Sequence, residues 1–389
     1  VRSYDKRVLK RITRERVRKL HRCHKCFTPW LLPLLFRWDG GGVVALRFFN
    51  RNMRFAFIEN DLLSEILDLM VGHFGEDEVF EIARNVERGS TSAYTAMLFA
   101  ADQWWLKPFS FAARYSFVMP YMLEMSMTLL GYAAGKAADL KLPNAAIYTR
   151  DPYNMALFLA DIEGVYLVVR EREVNAKVDP ISEEEGVYMC YADVPEKRTP
   201  GIYRKYAVDP PPIVPVPEPY SLSRCPRCGV PSQIARFWWD PRDGIIVHKD
   251  TGKRIIVWSC YAVERLLGTF VEQLGEEAET LIFDTVKEYQ KQNITTGGMG
   301  LTPEEKLEFL ESDRKGQYIV LLRHLASMGY GHGAVDVSEA AKIKITMTNP
   351  LLPLVAAGLI AGMAEALEGK PVAVRWEEGP ETTAFILEL

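Results

Sequence analysis

Residues 329–362 read GYGHGAVDVSEAAKIKITMTNPLLPLVAAGLIAG, and residues 131–164 read GYAAGKAADLKLPNAAIYTRDPYNMALFLADIEG. The two stretches align without a gap over 34 positions, seven of them identical, including Gly131/Gly329, Tyr132/Tyr330, Gly135/Gly333, Pro152/Pro350 and Gly164/Gly362. Moving outward, the order of landmarks stays the same. Gly75-Glu76 answers Gly275-Glu276, Trp38-Asp39 answers Trp239-Asp240, and Cys23-His24-Lys25-Cys26 answers Cys225-Pro226-Arg227-Cys228. Across these pairs the offset drifts only from 202 to 198. Colinear landmarks at a near-constant offset are the signature of an internal duplication.

Each copy follows one grammar. In the second, β-rich runs at Ala235–Trp239, Gly244–Val247 and Arg254–Trp258 are separated by Asp-Pro and Asp-Thr-Gly turn signals, which predicts a small meander after the CxxC. Amphipathic helices are expected at Asn60–Phe74 and Ser259–Leu274, each opened by a residue type that caps well. A second helix follows each Gly-Glu pair, and a third covers Tyr121–Leu130 or Tyr318–Met328. Alternating strands at Asn144–Tyr148 and Lys342–Met347 precede an apolar helix and a closing strand, Val187–Tyr191 or Thr383–Leu387. The fold class expected is α+β: two repeated modules, each an antiparallel sheet covered by helices and preceded by a CxxC and meander. Six prolines between Pro210 and Pro219 impose an extended connector. The domain boundaries that follow are a basic arm at 1–22, a first module at 23–193, a linker at 194–222 and a second module at 223–389.

Composition limits the function classes. The 389 residues carry 47 bases against 51 acids, for a net charge of −4, and 48% are hydrophobic, which excludes a disordered tail and a wholly polyanion-binding protein. The longest uncharged apolar stretch, Leu351–Ala364, is 14 residues, short of the roughly 20 needed to cross a bilayer. Residues 1–22 concentrate ten Lys/Arg against two acids. Their sparse stripe of Leu9, Ile12 and Leu20 suits a basic amphipathic helix, read chiefly as a solvated arm and secondarily as a contact for nucleic acid, an anionic membrane or an acidic partner.

Four of the six cysteines form the two CxxC pairs. One pair is half of a tetrahedral thiolate site, and duplication offers a way to unite Cys23, Cys26, Cys225 and Cys228 on one structural zinc. His21 and His24 are spare ligands should the sites be separate. So few cysteines point to a reducing, cytoplasmic setting rather than a disulfide scaffold. Cys190 reads as core. Cys260, at a helix start, is open to modification but reads more simply as packing.

Leu274-Gly275-Glu276-Glu277-Ala278, LLRHLASMGYGHG at Leu321–Gly333 and VAAGLIAGMAEALEGKPVAV at Val355–Val374 together resemble the 4-vinyl reductase domain family. Its wider fold group includes small subunits of the TRAPP vesicle-tethering complexes. The resemblance covers roughly Val257–Leu389 and reaches the first copy through the repeat. It implies binding of a small hydrophobic or aromatic molecule, as in sensing aromatics, handling tetrapyrrole or hydrocarbon compounds, or scaffolding. Many members hold a metal on cysteines near the last strand; here Arg375–Glu381 has none, so that site does not carry over.

The ligand-binding residues expected are Trp104, Trp105, Phe109, Tyr115 and Tyr121, from an aromatic segment peculiar to copy one, with Tyr132, Tyr330 and His332 as polar handles. Glu124 and Asp161 lie in apolar helices; a helix-surface position is the simpler expectation for both. No nucleophile elbow, zincin motif, phosphate loop or dinucleotide fingerprint stands in a suitable context. The leading expectation is therefore a zinc-stabilised tandem binder acting as sensor, carrier or scaffold. The alternatives are an enzyme or accessory subunit acting on an aromatic, hydrocarbon or tetrapyrrole compound, with Tyr132, Tyr330 and His332 as proton donors, and a zinc-containing nucleic-acid or assembly factor. A protein partner or homo-oligomer is compatible with each.

Overall fold

Runs of β-branched and aromatic residues broken by turn residues give fourteen strands among the described residues. The computed structural model describes residues 21–48, 51–99, 118–139, 144–195, 197–206, 208, 210–240, 243–339 and 341–389. The architecture is α+β with antiparallel sheets, as expected. One sheet has the order β1-β2-β3-β10-β9-β8, using Phe36–Trp38, Val44–Leu46, Arg54–Glu59, Arg254–Ser259, Ile245–His248 and Phe237–Asp240 respectively. A second, β4-β5-β7-β6, uses Ala134–Asp139, Asn144–Arg150, Val187–Asp193 and Asn175–Ser182. A third, β11-β12-β14-β13, uses His332–Glu339, Lys342–Thr348, Thr382–Glu388 and Ala373–Glu378. The last two sheets have the same strand order in chain sequence.

The helices are α1 (Leu31–Leu35), α2 (Asn60–Phe74), α3 (Glu76–Phe99), α4 (Val118–Leu130), α5 (Met155–Val169), α6 (Cys260–Leu274), α7 (Glu276–Thr295), α8 (Pro303–Glu311), α9 (Arg314–Met328) and α10 (Pro353–Glu368). The apolar helices α5 and α10 are buried along nearly their whole length, as a helix hydrophobic all round must be. Gly164 in α5 and Gly362 in α10 hold equivalent places. A Cβ at Gly164 would meet the Arg88 carbonyl at 2.7 Å, and one at Gly362 the Lys287 carbonyl at 2.3 Å. Glycine at these aligned positions lets α5 approach α3 and α10 approach α7 at backbone contact. Elsewhere, Thr302 and Glu305 close a reciprocal capping box at the start of α8.

The chain divides into two compact units that interleave along the sequence: Val1–His21, Phe80–Asp209 and Trp239–Ile246 form one, and Arg22–Val79, Pro210–Trp238 and Val247–Leu389 the other. Within the first, the tip of the β8–β9 hairpin is bonded to the turn after α4, with Ala134 N donating to Asp243 O at 3.1 Å and the buried Trp239 indole donating to Leu129 O at 3.0 Å. Within the second, the turn between β1 and β2 is bonded to the turn after α9, with Gly331 N donating to Gly42 O at 2.9 Å. Each helix-to-strand turn is thus backed by a hairpin from the other half of the sequence.

The proline-rich connector runs along the second unit. Asn349 clamps it by accepting from Val214 N at 3.0 Å and donating to Val214 O at 2.9 Å, while Tyr220 N donates to Gly40 O at 3.0 Å. Among the described residues no helix is long and apolar enough to cross a membrane. The basic arm at 1–22 lies outside the described residues except for His21 and Arg22.

Candidate metal centre and ligand recesses

The two CxxC segments form matched knuckles. Cys23 N donates to Thr28 O and Cys225 N to Val230 O, both at 2.9 Å; Phe27 N donates to Cys23 O at 2.8 Å and Gly229 N to Cys225 O at 2.9 Å. Isolated bridges Arg22↔Pro29 and Arg224↔Pro231 close each loop. This geometry turns all four thiols inward, so that Cys23, Cys26, Cys225 and Cys228 present sulfurs within 4.8 Å of one another although Cys26 and Cys225 are 199 residues apart. Cys23 Sγ lies 3.9 Å from Cys225 Sγ, and Cys26 Sγ 3.4 Å from Cys228 Sγ. A tetrahedral zinc with bonds of about 2.3 Å spaces its sulfurs about 3.8 Å apart, and the donor set fits that ion. His21 and His24 are exposed and stand outside this group.

The surroundings favour thiolates at one end of the cluster. Burial opposes ionisation of Cys225, but the amides of Cys228 and Arg227 and the neighbouring thiols outweigh it and bring the pKa down to about 7. Burial, with Cys26 and Cys225 adding to it, drives Cys228 up, because a second negative charge in the same space is disfavoured until a cation arrives. Lys249 supplies positive charge nearby, its ammonium donating to Cys26 O at 3.3 Å and Ala235 O at 2.8 Å. The other two cysteines are inert by comparison: Cys190 and Cys260 are buried, and burial pushes both thiols to about 12. At Cys260 that cost exceeds what the helix start contributes toward the thiolate.

In the second unit, Tyr330 lines a recess with Phe57, Glu59, Tyr289, Asn293, His324 and Met299 among its walls. Glu59 organises the floor: its Oε2 accepts from Tyr289 at 2.6 Å, Lys253 at 2.9 Å and Asn293 at 3.1 Å. The recess has a volume of about 40 Å³, enough for a few waters and far below the 300 Å³ or more of a drug-sized site. Lys253→Met is expected to lower stability by only about 1 kcal/mol in urea titration, since Glu59 keeps two donors. His332 does not line this recess; its ring packs on Tyr220 at 4.3 Å.

In the first unit, Tyr132 stands in a different cluster. Its ring is 4.8 Å from that of Tyr153, whose hydroxyl donates to Asp161 Oδ2 at 3.1 Å; Thr91 donates to Asp161 Oδ1 at 2.5 Å. Glu87, 1% exposed, also bonds Asp161. Burial raises Asp161 to about 6 against the opposing hydrogen bonds of Thr91, Glu87 and Tyr153. Burial and the Asp161 charge drive both tyrosines well above their ordinary range. Asp161 therefore departs from the helix-surface expectation, because its neighbours on α3 are the polar Glu87 and Thr91. Glu163 on the same helix is structural, accepting from Ala176 N at 2.8 Å and pairing with Arg84.

Tyr132 thus lies in one unit and Tyr330 and His332 in the other. Trp104, Trp105, Phe109 and Tyr115 lie outside the described residues, as does the side chain of Tyr121. Tyr153 was missed because its aligned partner is Leu351; Glu59 and Tyr289 were missed because they lie 230 residues apart and no local pattern pairs them. Compared with protein-family models, curated proteins and solved structures, the chain matches none.

Proposed function

We propose that this chain is a zinc-stabilised tandem binding protein, arisen by internal duplication of a vinyl-reductase-type module, whose first module holds a small hydrophobic or aromatic molecule. The duplication is supported by the common strand order of the two four-stranded sheets and by the aligned glycines of α5 and α10. Zinc is supported by the four converging thiols, which also agree with a reducing, cytoplasmic setting.

The observation that carries the ligand reading is the Asp161 cluster. In the gap-free alignment Tyr153 corresponds to Leu351 and Asp161 to Leu359. The contacts of Gly164 and Gly362 pair Arg88 with Lys287, so Glu87 corresponds to Val286. The second module fills these places with Leu351, Leu359 and Val286, all buried, so the architecture does not require acids there. Desolvating carboxylates costs stability, and a cost the sibling module avoids is consistent with retention for binding. The ligand class is an apolar, ring-bearing molecule with a hydrogen-bond donor or positive centre for Asp161.

The test is mass spectrometry of the intact purified protein under native and denaturing conditions, which reads any organic adduct directly. Asp161→Leu is expected to weaken retention at least tenfold, the worth of a charged hydrogen bond, while zinc content stays constant. No adduct from any host, with zinc present, would remove the ligand claim and leave the metal claim standing. A second reading follows from Tyr153 and Asp161 lying 3.1 Å apart: an enzyme that protonates its bound molecule. Turnover unchanged by Tyr132→Phe and Tyr153→Phe would sink it.

A further inference from the structure

We infer that the knuckle face of the second unit binds single-stranded nucleic acid. The segments that make the two knuckles contain no acidic residue from His21 to Trp38 or from Pro219 to Trp239. They carry Arg22, Lys25, Arg37, Arg224, Arg227 and Arg236, and Lys249 joins them through its bond to the Cys26 carbonyl. Asp250 neutralises Arg236 and Asp39 pairs with Arg37. Lys25, Arg224, Arg227 and Lys249 also belong to the knuckle face, more positive charge than four thiolates on one divalent ion require. In the sequence, nine further Lys/Arg lie within residues 1–20, ahead of Arg22 and Cys23.

Charge alone would suit any polyanion; the aromatic residues narrow it. Phe27 is 48% exposed and Trp238 38%. Their rings lie 6.4 Å apart, and the Arg22 guanidinium sits 4.3 Å from the Trp238 centroid. Phe27 also occupies a left-handed backbone position, φ 66°, at the place where the second knuckle has Gly229 at φ 76°. A bulky side chain is an outlier there, and neither burial nor backbone geometry accounts for a phenylalanine. Exposed rings interleaved with cations are the means by which proteins stack unpaired bases while tracking the phosphates. A folded duplex offers no such bases, and an acidic peptide has no use for the rings. The knuckles and the Asp161 cluster belong to different units, and the inference rests only on the knuckles being formed.

The experiment uses the full-length, zinc-loaded protein and fluorescent 12-nucleotide oligo(dT) and oligo(U) probes, with anisotropy read at several salt concentrations. Binding is expected to weaken as salt rises. Phe27→Gly, which relieves the left-handed strain and keeps the fold, is expected to weaken binding roughly 5- to 50-fold through the lost stack. Arg227→Glu is expected to flatten the salt slope by about one or more. Zinc content, measured for every variant, separates loss of the surface from loss of the knuckle. Undetectable binding at low salt, binding indifferent to Phe27→Gly, preference for heparin or anionic vesicles, or binding lost only on removing residues 1–20 would each overturn the inference.

Discussion

Cys225→Ser is expected to abolish stoichiometric metal binding and to lower the thermal midpoint by on the order of 10 °C or more. Structural zinc contributes about 10–16 kcal/mol of apparent binding energy in small zinc domains, and a serine hydroxyl is a poor substitute for one of four thiolates. Forfeiting even several kcal/mol moves a domain of this size by roughly 2–4 °C for each. The effect is expected to exceed ordinary core damage because Cys26 and Cys225 lie 199 residues apart, so an ion on all four thiolates would close a very long loop. Chelator should bring the wild-type protein down to the variant's midpoint. His24→Ala, at an exposed site outside the sulfur cluster, should leave metal content and midpoint unchanged; a loss there would mean that each knuckle completes its own site.

Asp161→Asn is expected to stabilise the protein at pH 8, by about 1–2 kcal/mol, and to lose that advantage near pH 4. Burial holds the folded-state pKa of Asp161 at about 6, above the 3.8 of an ordinary aspartate. Between those two pH values the native state binds more protons than the unfolded chain, so this group lowers stability as pH rises through the window. The shift corresponds to about 3 kcal/mol at neutral pH, and the asparagine forfeits part of the gain because one oxygen cannot replace both acceptors used by Thr91 and Tyr153. Glu264, raised to about 7 by burial against the opposing charge of Arg54, titrates in the same direction, so the variant-minus-wild-type difference is the useful quantity. Chemical denaturation at pH 4, 6 and 8 measures it. A destabilised variant at pH 8 would mean that the carboxylate is needed by the fold, and the functional reading of this cluster would go with it.

The legibility of the fold follows strand position. The central strands β5, β7, β12 and β14 were read from their alternation, since burial of one face imposes a period of two. The strands not read were β4, β6, β11 and β13, the outer members of the two four-stranded sheets. Edge strands carry charges and little alternation: Ala373–Glu378 reads AVRWEE and His332–Glu339 reads HGAVDVSE. Likewise α8 was not read, because it is short and mostly polar, although its Thr302 and Glu305 box was visible in the sequence.

The candidate site was legible where chemistry repeats and illegible where it does not. The two CxxC pairs stand out in the sequence because the same ligand spacing recurs at an offset of 202. Tyr132 and Tyr330 stand out as an aligned pair, yet the groups around them differ: Asp161 and Tyr153 in one unit, Glu59 and Tyr289 in the other. Glu59, at the end of β3, reaches Tyr289, 230 residues away, at 2.6 Å, a contact that follows from the pairing of β3 with β10 and from no local pattern. Asp161 hid inside an apolar helix, where the polar Thr91 and Glu87 that receive it come from α3, 70 or more residues earlier.

The metal count of the intact chain tests the central claim most directly. Native mass spectrometry of the purified protein, with and without prior chelation, should give one tightly held zinc per monomer that is lost in Cys225→Ser. Two zinc ions per chain, or none in protein prepared under reducing conditions with zinc supplied, would contradict the shared four-thiolate centre.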